Sequence, residues 1–554
     1  MATTEITVKR TRLPAEPLRL DRLIRAGAIH SMTGATYRSV GLRGAEIVAV
    51  SAEPDALDDL AGASTIVTDA PDLTVLPAFS DSHEHLMEVS RNTLLLPVDR
   101  ARSIAEFLGM VRDAARDAEP EEWVLTSIGW HESNLAENRL PTIAELDEAS
   151  PDHPVFARRG GHLAVANTAA LRAAGVGPDT PNPRGGTIGR LRDGALSGVL
   201  EGRSVYDVAA FAPSPKRTDL VEGLARSTAA YAALGVGTIR EAMITQDELL
   251  AYQDAADAER LSLRVRPLIR VGAELSADDA IALVRGLGAR SGLGDDWLRL
   301  WGLKFVMDGG VEGAALEQPY ADDPGNSGHL NWDADAMTRV CVEAVRRGWR
   351  IATHAAGDRA VRVLLDVYEA VLAQVGDVPP WTLVIEHALL SNAEQRARAV
   401  RAGIAVTVQH ALLWNMGSEM LQTWGPERTS RVNPLDEWIA TGADLAAGTD
   451  TVRPFNPMTN VWGMATRGTK AAGIQGPEHA IPVARAIELY TMGSASLNGD
   501  AGRLGSIAPG RLADLVAYHI DPLAADPDRL PDLTPSFTIV GGRTAHDPEG
   551  RLER

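Results

Sequence analysis

The stretch VLPAFSDSHEHLMEV, residues 75–89, places two of the chain's thirteen histidines, His83 and His85, one residue apart at the end of an apolar run. Side chains of an extended strand alternate between its faces, so residues separated by one position project in the same direction. Both imidazoles then converge on one point, as a metal ion requires. A chance pair of histidines has the same spacing, so the reading turns on whether further ligands occur elsewhere.

Seven more apolar runs follow, separated by long stretches rich in alanine, arginine and glutamate. With the first, TVLPAFSDSH (74–83), they are LGVGTIREA (234–242), SLRVRPLIR (262–270), LRLWGLKFVMD (298–308), WRIATHAAGD (349–358), TLVIEHALL (382–390), GIAVTVQHALL (403–413) and DLAAGTD (444–450). Short apolar runs alternating with helical stretches indicate repeated βα units, and eight such units close a (β/α)8 TIM-type barrel. The fold class expected is therefore α/β. The long gap after the first run, about residues 87–215, reads as an insertion marked by turn-rich punctuation such as GPDTPNPRGGTIG (177–189).

Outside the barrel, RLDRLIRAGAIHSMTGATYRSVGLRGAEIVAVSAE (19–53) is short, alternating and punctuated by glycine, and GRLADLVAYHI (510–520) and SFTIVGGRTAHD (536–547) have the same character. The two ends are expected to pair into one small β-sandwich. The division is then a tail at 1–16, a β-sandwich part at 17–73, the barrel with its insertion at 74–490, and a second β-sandwich part at 491–554.

The composition is that of a well-solvated enzyme. With 54 basic and 74 acidic residues among 554, the net charge of −20 disfavours nucleic acid and anionic membrane as partners. The single cysteine, Cys341, excludes an intrachain disulfide and a cysteine metal cluster. No apolar run suits a signal peptide or a membrane span, so the expected location is cytoplasmic. A homodimer is compatible with the sequence but not specified by it.

Barrels of this kind carry their active sites at the carboxyl ends of the strands. Here those positions hold His83 and His85 on run one, Lys304 on run four, His354 on run five, His387 on run six and Asp450 on run eight. Imidazoles and a carboxylate suit zinc and similar divalent metals. Each residue alone is more ordinary: a lone strand-end histidine is usually structural, and Lys304 could pair with Asp308. Their order along independently read strands favours a shared site.

These residues also carry a resemblance. PAFSDSHEHL, KFVMDGG, THAAGDRA, VIEHALL, AAGTD and GRLGSIAPGRLADLVAY resemble the amidohydrolase superfamily. GWHESNL, PVFARRGGHLAVANTAAL and EQPYADDPGNSGHL are similar to the branch that includes N-substituted formamide deformylases. The resemblance implies that His83, His85 and Asp450 hold one metal, that His354 and His387 hold a second, and that Lys304, once carboxylated on its amine, bridges the two. It implies one or two divalent ions per chain, zinc the first choice. The reaction implied is cleavage of a carbon–nitrogen bond in a small non-peptide amide, N-substituted formamides included, by a metal-activated hydroxide. Asp450 then serves as general base and afterwards as general acid, and its replacement costs about 10²–10⁴-fold in rate.

Five further residues are candidates for contact with substrate: Trp130, Arg159 and His162 in the insertion, with Gln409 and His410 after run seven. Arg158 and His131 adjoin the first group. His410 departs from the Gln-Pro pair of relatives. LLWNMGSEMLQTW (412–424) reads either as an apolar lid or as ordinary helix packing. Two rival functions remain: the same metal site acting on a cyclic amide, on an N-acyl amino acid or as a decarboxylase, and a non-catalytic binding module. A carboxylate substrate calls for a cation, so Arg158 or Arg159 aimed at the site would favour the first.

Overall fold

The computed structural model of the protein describes residues 18–159, 163–183 and 186–552. The opening stretch forms two strands rather than one over 74–83: Ile66–Pro77 and Phe79–Glu84. Proline lacks the N–H that a ladder needs, and the next N–H, of Ala78, goes to the Asp514 carbonyl at 3.0 Å. The chain thus changes sheets at Pro77–Ala78. His85 falls just beyond the strand, immediately before the helix Leu86–Asn92.

Phe79–Glu84 (β1) pairs in parallel with Val236–Glu241 (β2), which pairs with Arg264–Val265, the first half of β3. Arg266 and Pro267 interrupt β3, and its second half, Leu268–Arg270, begins a further parallel series. That series runs through β4 (Gly302–Val306), β5 (Ile351–Ala355), β6 (Leu383–His387), β7 (Ala405–Val408) and β8 (Leu445–Ala447), each bonded to the next. Across the interruption, Arg266 N–H donates to the Ile239 carbonyl and Ile244 N–H to that of Leu268, both at 2.9 Å. At the other margin, Asp450 N–H donates to the His83 carbonyl at 2.9 Å, joining the chain after β8 to β1.

Every residue of β1, β2, β6, β7 and β8 is buried. Parallel strands covered on both faces have this character. The covering helices are amphipathic. Asp358–Val375, between β5 and β6, buries Ala360, Val361, Leu364, Leu365, Tyr368 and Val371, a stripe at helical spacing. Thr245 with Glu248 and Asn392 with Gln395 form capping boxes that start the helices after β2 and β6.

The two chain ends share one seven-stranded sheet. Its order is 543–546, 537–540, 515–518, 66–77, 22–30, 36–43 and 46–51. The bidentate pair Arg264–Asp514, at 2.8 and 2.9 Å, ties this sheet to the start of β3. The segment between β1 and β2 carries a separate five-stranded sheet, in the order 124–125, 155–159, 163–166, 196–202 and 186–190. Among the described residues, no helix is long and apolar enough to cross a membrane.

Candidate metal centre

The residues read as ligands meet at the carboxyl ends of β1, β5, β6 and β8. His83, His387 and Asp450 each offer a donor atom within 4.8 Å of the others. Asp450 Oδ1 lies 3.3 Å from His85 Nε2 and 3.6 Å from His83 Nε2, and its Oδ2 lies 3.8 Å from His387 Nδ1. The His354 ring follows, its centroid 4.5 Å from that of His387. His83 and His85 therefore share the side that faces Asp450, although His85 has left the strand. Their ring centroids are 5.5 Å apart.

The backbone bends sharply to deliver these groups. His387 has φ 74°, Ala388 44° and Asp450 56°, left-handed conformations that side-chain-bearing residues seldom adopt. Such geometry costs about 1–3 kcal/mol per residue.

Hydrogen bonds hold the imidazoles by their far nitrogens. His83 Nδ1 meets Glu386 Oε2, and His354 Nε2 lies 3.0 Å from the Gly309 carbonyl. Burial, with Lys304 nearby, lowers His83 and His354 to about 4, so both are neutral near pH 7. His387 is pushed well below its ordinary value by burial and by His354 and His83. Neutral imidazole is the form that ligates. His85 is the exception: burial alone would lower it, but Asp450 raises it to about 9. Burial acts to raise Asp450, yet the imidazoles around it hold its carboxyl well below the usual range.

Two atoms of the cluster are unsatisfied. Lys304 Nζ and His387 Nδ1 are buried without a hydrogen-bond partner, whereas most buried polar groups have one. Lys304 is 3% exposed, and burial lowers its pKa. Its nearest carboxylate is Glu386 at 4.0 Å, not Asp308. Asp308 instead accepts from the N–H groups of Ala315, Ala356 and Gly357, each at 2.9 Å, and lies 3.5 Å from His354. Imidazoles with one carboxylate and an unused imidazole nitrogen form a donor set that fits a divalent metal ion.

The substrate candidates are dispersed. Trp130 is buried in the insertion, donating to the Arg158 carbonyl at 2.7 Å and packing on Phe107. Arg159 is gripped by Glu132 at 2.7 and 2.8 Å and by His131 Nε2 at 2.7 Å. His162 lies outside the described residues. Gln409 follows β7 directly, its Nε2 donating to Thr407 Oγ1 at 3.0 Å and its Oε1 unpartnered. His410 starts the helix His410–Thr423, with Nδ1 3.4 Å from Arg467 and Nε2 unpartnered. Trp424 is packed into that helix's end, donating to the Val311 carbonyl at 2.9 Å. Trp414 meets Phe455 edge-on at 5.2 Å, on the segment that follows Asp450.

Sequence reading missed the buried charges behind the candidate ligands. Glu386 and Arg240 join at 2.6 Å, both fully buried. Asp81 and Glu84 flank Thr449, whose Oγ1 lies 2.6 and 2.7 Å from them. Burial raises Asp81 to about 7, and burial with Asp81 beside it raises Glu84 to about 8. A signal existed: Glu386 and Arg240 each interrupt an apolar run, LVIEH and VGTIRE, and charged residues are rarely buried unless paired.

An α/β chain that gathers imidazoles and a carboxylate at the carboxyl ends of parallel strands is of the metal-dependent hydrolase class. The profile of the amidohydrolase family matches residues 67–546, and the chain belongs to that family. Among curated proteins it is 26% identical to N-substituted formamide deformylase of Arthrobacter pascens, over 87% of this chain and 90% of that one. It is 27% identical to the putative amidohydrolase YtcJ of Bacillus subtilis, over 85% and 89%. Among solved structures, an uncharacterized metal-dependent hydrolase of Pyrococcus horikoshii aligns with TM-score 0.73 at 23% identity, covering 92% of this chain and 99% of that one. That last likeness speaks to the fold.

Proposed function

We propose that this amidohydrolase cleaves the carbon–nitrogen bond of a small neutral amide, with N-substituted formamides the first class to try. The observation that carries the reading is the convergence of His83, His387 and Asp450 beside two unsatisfied buried nitrogens. The relative from Arthrobacter pascens supports the choice of amide. We read the parallel strands as one (β/α)8 barrel, supported by the pairing series from β1 to β8 and the Asp450–His83 bond across the margin. The sheet built from both chain ends is read as the accessory β domain.

In this reading His83, His85, His354, His387 and Asp450 hold one or two divalent ions, zinc the first candidate. Lys304 joins them once its amine is carboxylated, a role supported by its unpartnered, buried Nζ. A divalent metal bound there supplies Lewis-acid polarisation of a carbonyl and acidifies a coordinated water.

Asp450 is the proton carrier. Its carboxylate is ionised and within reach of three imidazoles, so it can accept a proton from the attacking water and return it to the departing nitrogen. Water adds to the acyl carbon, the C–N bond breaks, and carboxylic acid and amine leave. Glu84 positions Asp450 by accepting from the next residue, with Thr451 N–H at 3.1 Å and Thr451 Oγ1 at 2.9 Å. Trp414 and Phe455, on the segments after β7 and β8, supply apolar surface for an amine substituent. A neutral substrate is preferred over a carboxylate because Arg159 is engaged by Glu132 and the Arg158 guanidinium lies over the Tyr206 ring at 5.9 Å.

The test is elemental analysis of protein purified without chelator, beside His83→Ala and Asp450→Asn, followed by an amide and formamide screen. One or two metal equivalents, diminished in His83→Ala, with amine release in the screen, is the expected result. Protein that stays metal-free under conditions that load other metalloenzymes would overturn it.

A further inference from the structure

Glu386 lies behind the ligands rather than among them. It is fully buried on β6, the residue before His387. Each of its oxygens has a defined partner: Oε1 accepts from Arg240 Nη2 at 2.6 Å, and Oε2 meets His83 Nδ1 and accepts from Thr407 Oγ1 at 3.0 Å. Arg240 is itself fixed. Its Nη1 donates to the Ser82 carbonyl at 2.7 Å, one residue before His83, and its guanidinium sits 3.9 Å over the Trp301 ring. Groups from β1, β2, β6 and β7 thereby lock one carboxylate in place.

We infer that Glu386 is a positioning residue that sets the tautomer of His83, so that Nδ1–H faces Glu386 and the Nε2 lone pair faces the metal centre. The argument rests on the metal-centre reading above, and its geometry is independent of any bound ion. Glu386 is ionised, since it accepts from a guanidinium and a hydroxyl with both oxygens engaged. An acceptor-only group at Nδ1 requires the proton on that nitrogen. The remaining lone pair is on Nε2, 3.6 Å from Asp450 Oδ1 and on the side where His387 and His85 converge. A carboxylate behind a ligating imidazole also raises its basicity, and loss of such a partner typically weakens metal binding about 10–100-fold.

His83 and Glu386 are 303 residues apart in sequence, which makes this coupling invisible to local reading. It also explains why a full negative charge is placed in an apolar strand. Glu386 offsets Arg240 and stands 4.0 Å from Lys304, so part of the positive charge buried here is compensated within the chain.

The experiment measures cobalt(II) affinity by competition with a chromophoric chelator, and the visible absorption of the cobalt-loaded protein, for parent, Glu386→Gln and Asp514→Asn. Glutamine keeps the volume but removes the charge and can turn its amide N–H toward the ring, inviting the other tautomer. Asp514→Asn perturbs another buried carboxylate, paired with Arg264 and outside the metal centre. Glu386→Gln is expected to weaken cobalt binding about 10–100-fold and to change the ligand-field bands, while Asp514→Asn leaves both at parent values. Parent-like affinity and bands in folded Glu386→Gln, or equal weakening in Asp514→Asn, would overturn the inference. Should Glu386→Gln not fold, Thr407→Val decides: changed bands with weaker binding support the role, unchanged ones reject it. A parent that binds no cobalt would instead remove the metal-centre reading itself.

Discussion

Two clusters of buried charge sit in the parallel sheet and differ in one respect. Beneath the amino ends of the strands, Arg264 grips Asp514, and Arg266 and Arg299 converge on Asp500. None of these side chains leaves a buried nitrogen or oxygen without a partner. At the carboxyl ends, the cluster of imidazoles, Asp450 and Lys304 leaves Lys304 Nζ and His387 Nδ1 unsatisfied. Burying charge is costly in both places. The lower cluster offsets that cost internally and holds sheets together; the upper one keeps donor atoms that the divalent metal implied by the family would engage.

Breaking the upper cluster should abolish chemistry with little loss of fold. Asp450→Asn removes the proposed proton carrier, and kcat on the best amide is expected to fall about 10²–10⁴-fold or more. The far-ultraviolet circular dichroism should match the parent. A variant within threefold of the parent would remove Asp450 from the reaction.

Breaking the lower cluster should do the reverse. Arg264→Met leaves Asp514 buried without its cation, which typically costs about 3–5 kcal/mol. The paired change Arg264→Met with Asp514→Leu should recover much of that loss, because apolar replacement of a whole buried pair is often neutral. Urea midpoints of the three proteins measure this. Metal content per folded molecule should stay constant throughout, and a fall in the single variant would show that the clusters are coupled.

The contrast also accounts for what sequence alone revealed. His83, His354, His387 and Asp450 were legible because each ends an apolar run and a strand order assigns them one rim. Their counter-charges were not. Glu386 and Arg240 are 146 residues apart, and only the packing of distant strands brings them together. The fold was legible where runs were continuous and misread where proline intervened, at Pro77 and at Pro267 within β3. Trp130 illustrates the remaining difficulty. It is a candidate substrate contact by resemblance, and its ring packs in the core of the insertion against Phe107, a placement set by residues distant in sequence.

Removing the implied metal should have an intermediate effect. A ligand that binds only the folded state stabilises it by about 2.7 kcal/mol at a hundredfold excess over its dissociation constant. Dialysis against a chelator should therefore lower the melting temperature of the parent, and zinc or cobalt should restore it. His83→Ala, already deficient, should respond less. An identical melting curve for chelated and reloaded parent would mean that the unsatisfied nitrogens are not completed by metal.

The smallest effect belongs to charges that water already satisfies. At the start of the insertion helix Ile143–Ala149, Glu145 forms a capping box with Thr142 and accepts from Arg139 at 2.7 and 2.9 Å. The Arg139 hydrogen bonds come first among the causes that lower its carboxyl to about 2. A folded-state pKa below the unfolded one gives stability that is full above the ordinary carboxylate range and fades as pH falls toward about 2. Because the pair is largely solvent-exposed, screening limits its worth to about 1 kcal/mol or less. Glu145→Gln should accordingly shift the urea midpoint slightly at pH 7 and progressively less as the pH is lowered toward about 2, with metal content unaffected. A loss comparable to that of Arg264→Met would place Glu145 with the buried clusters and erase the distinction that burial draws between them.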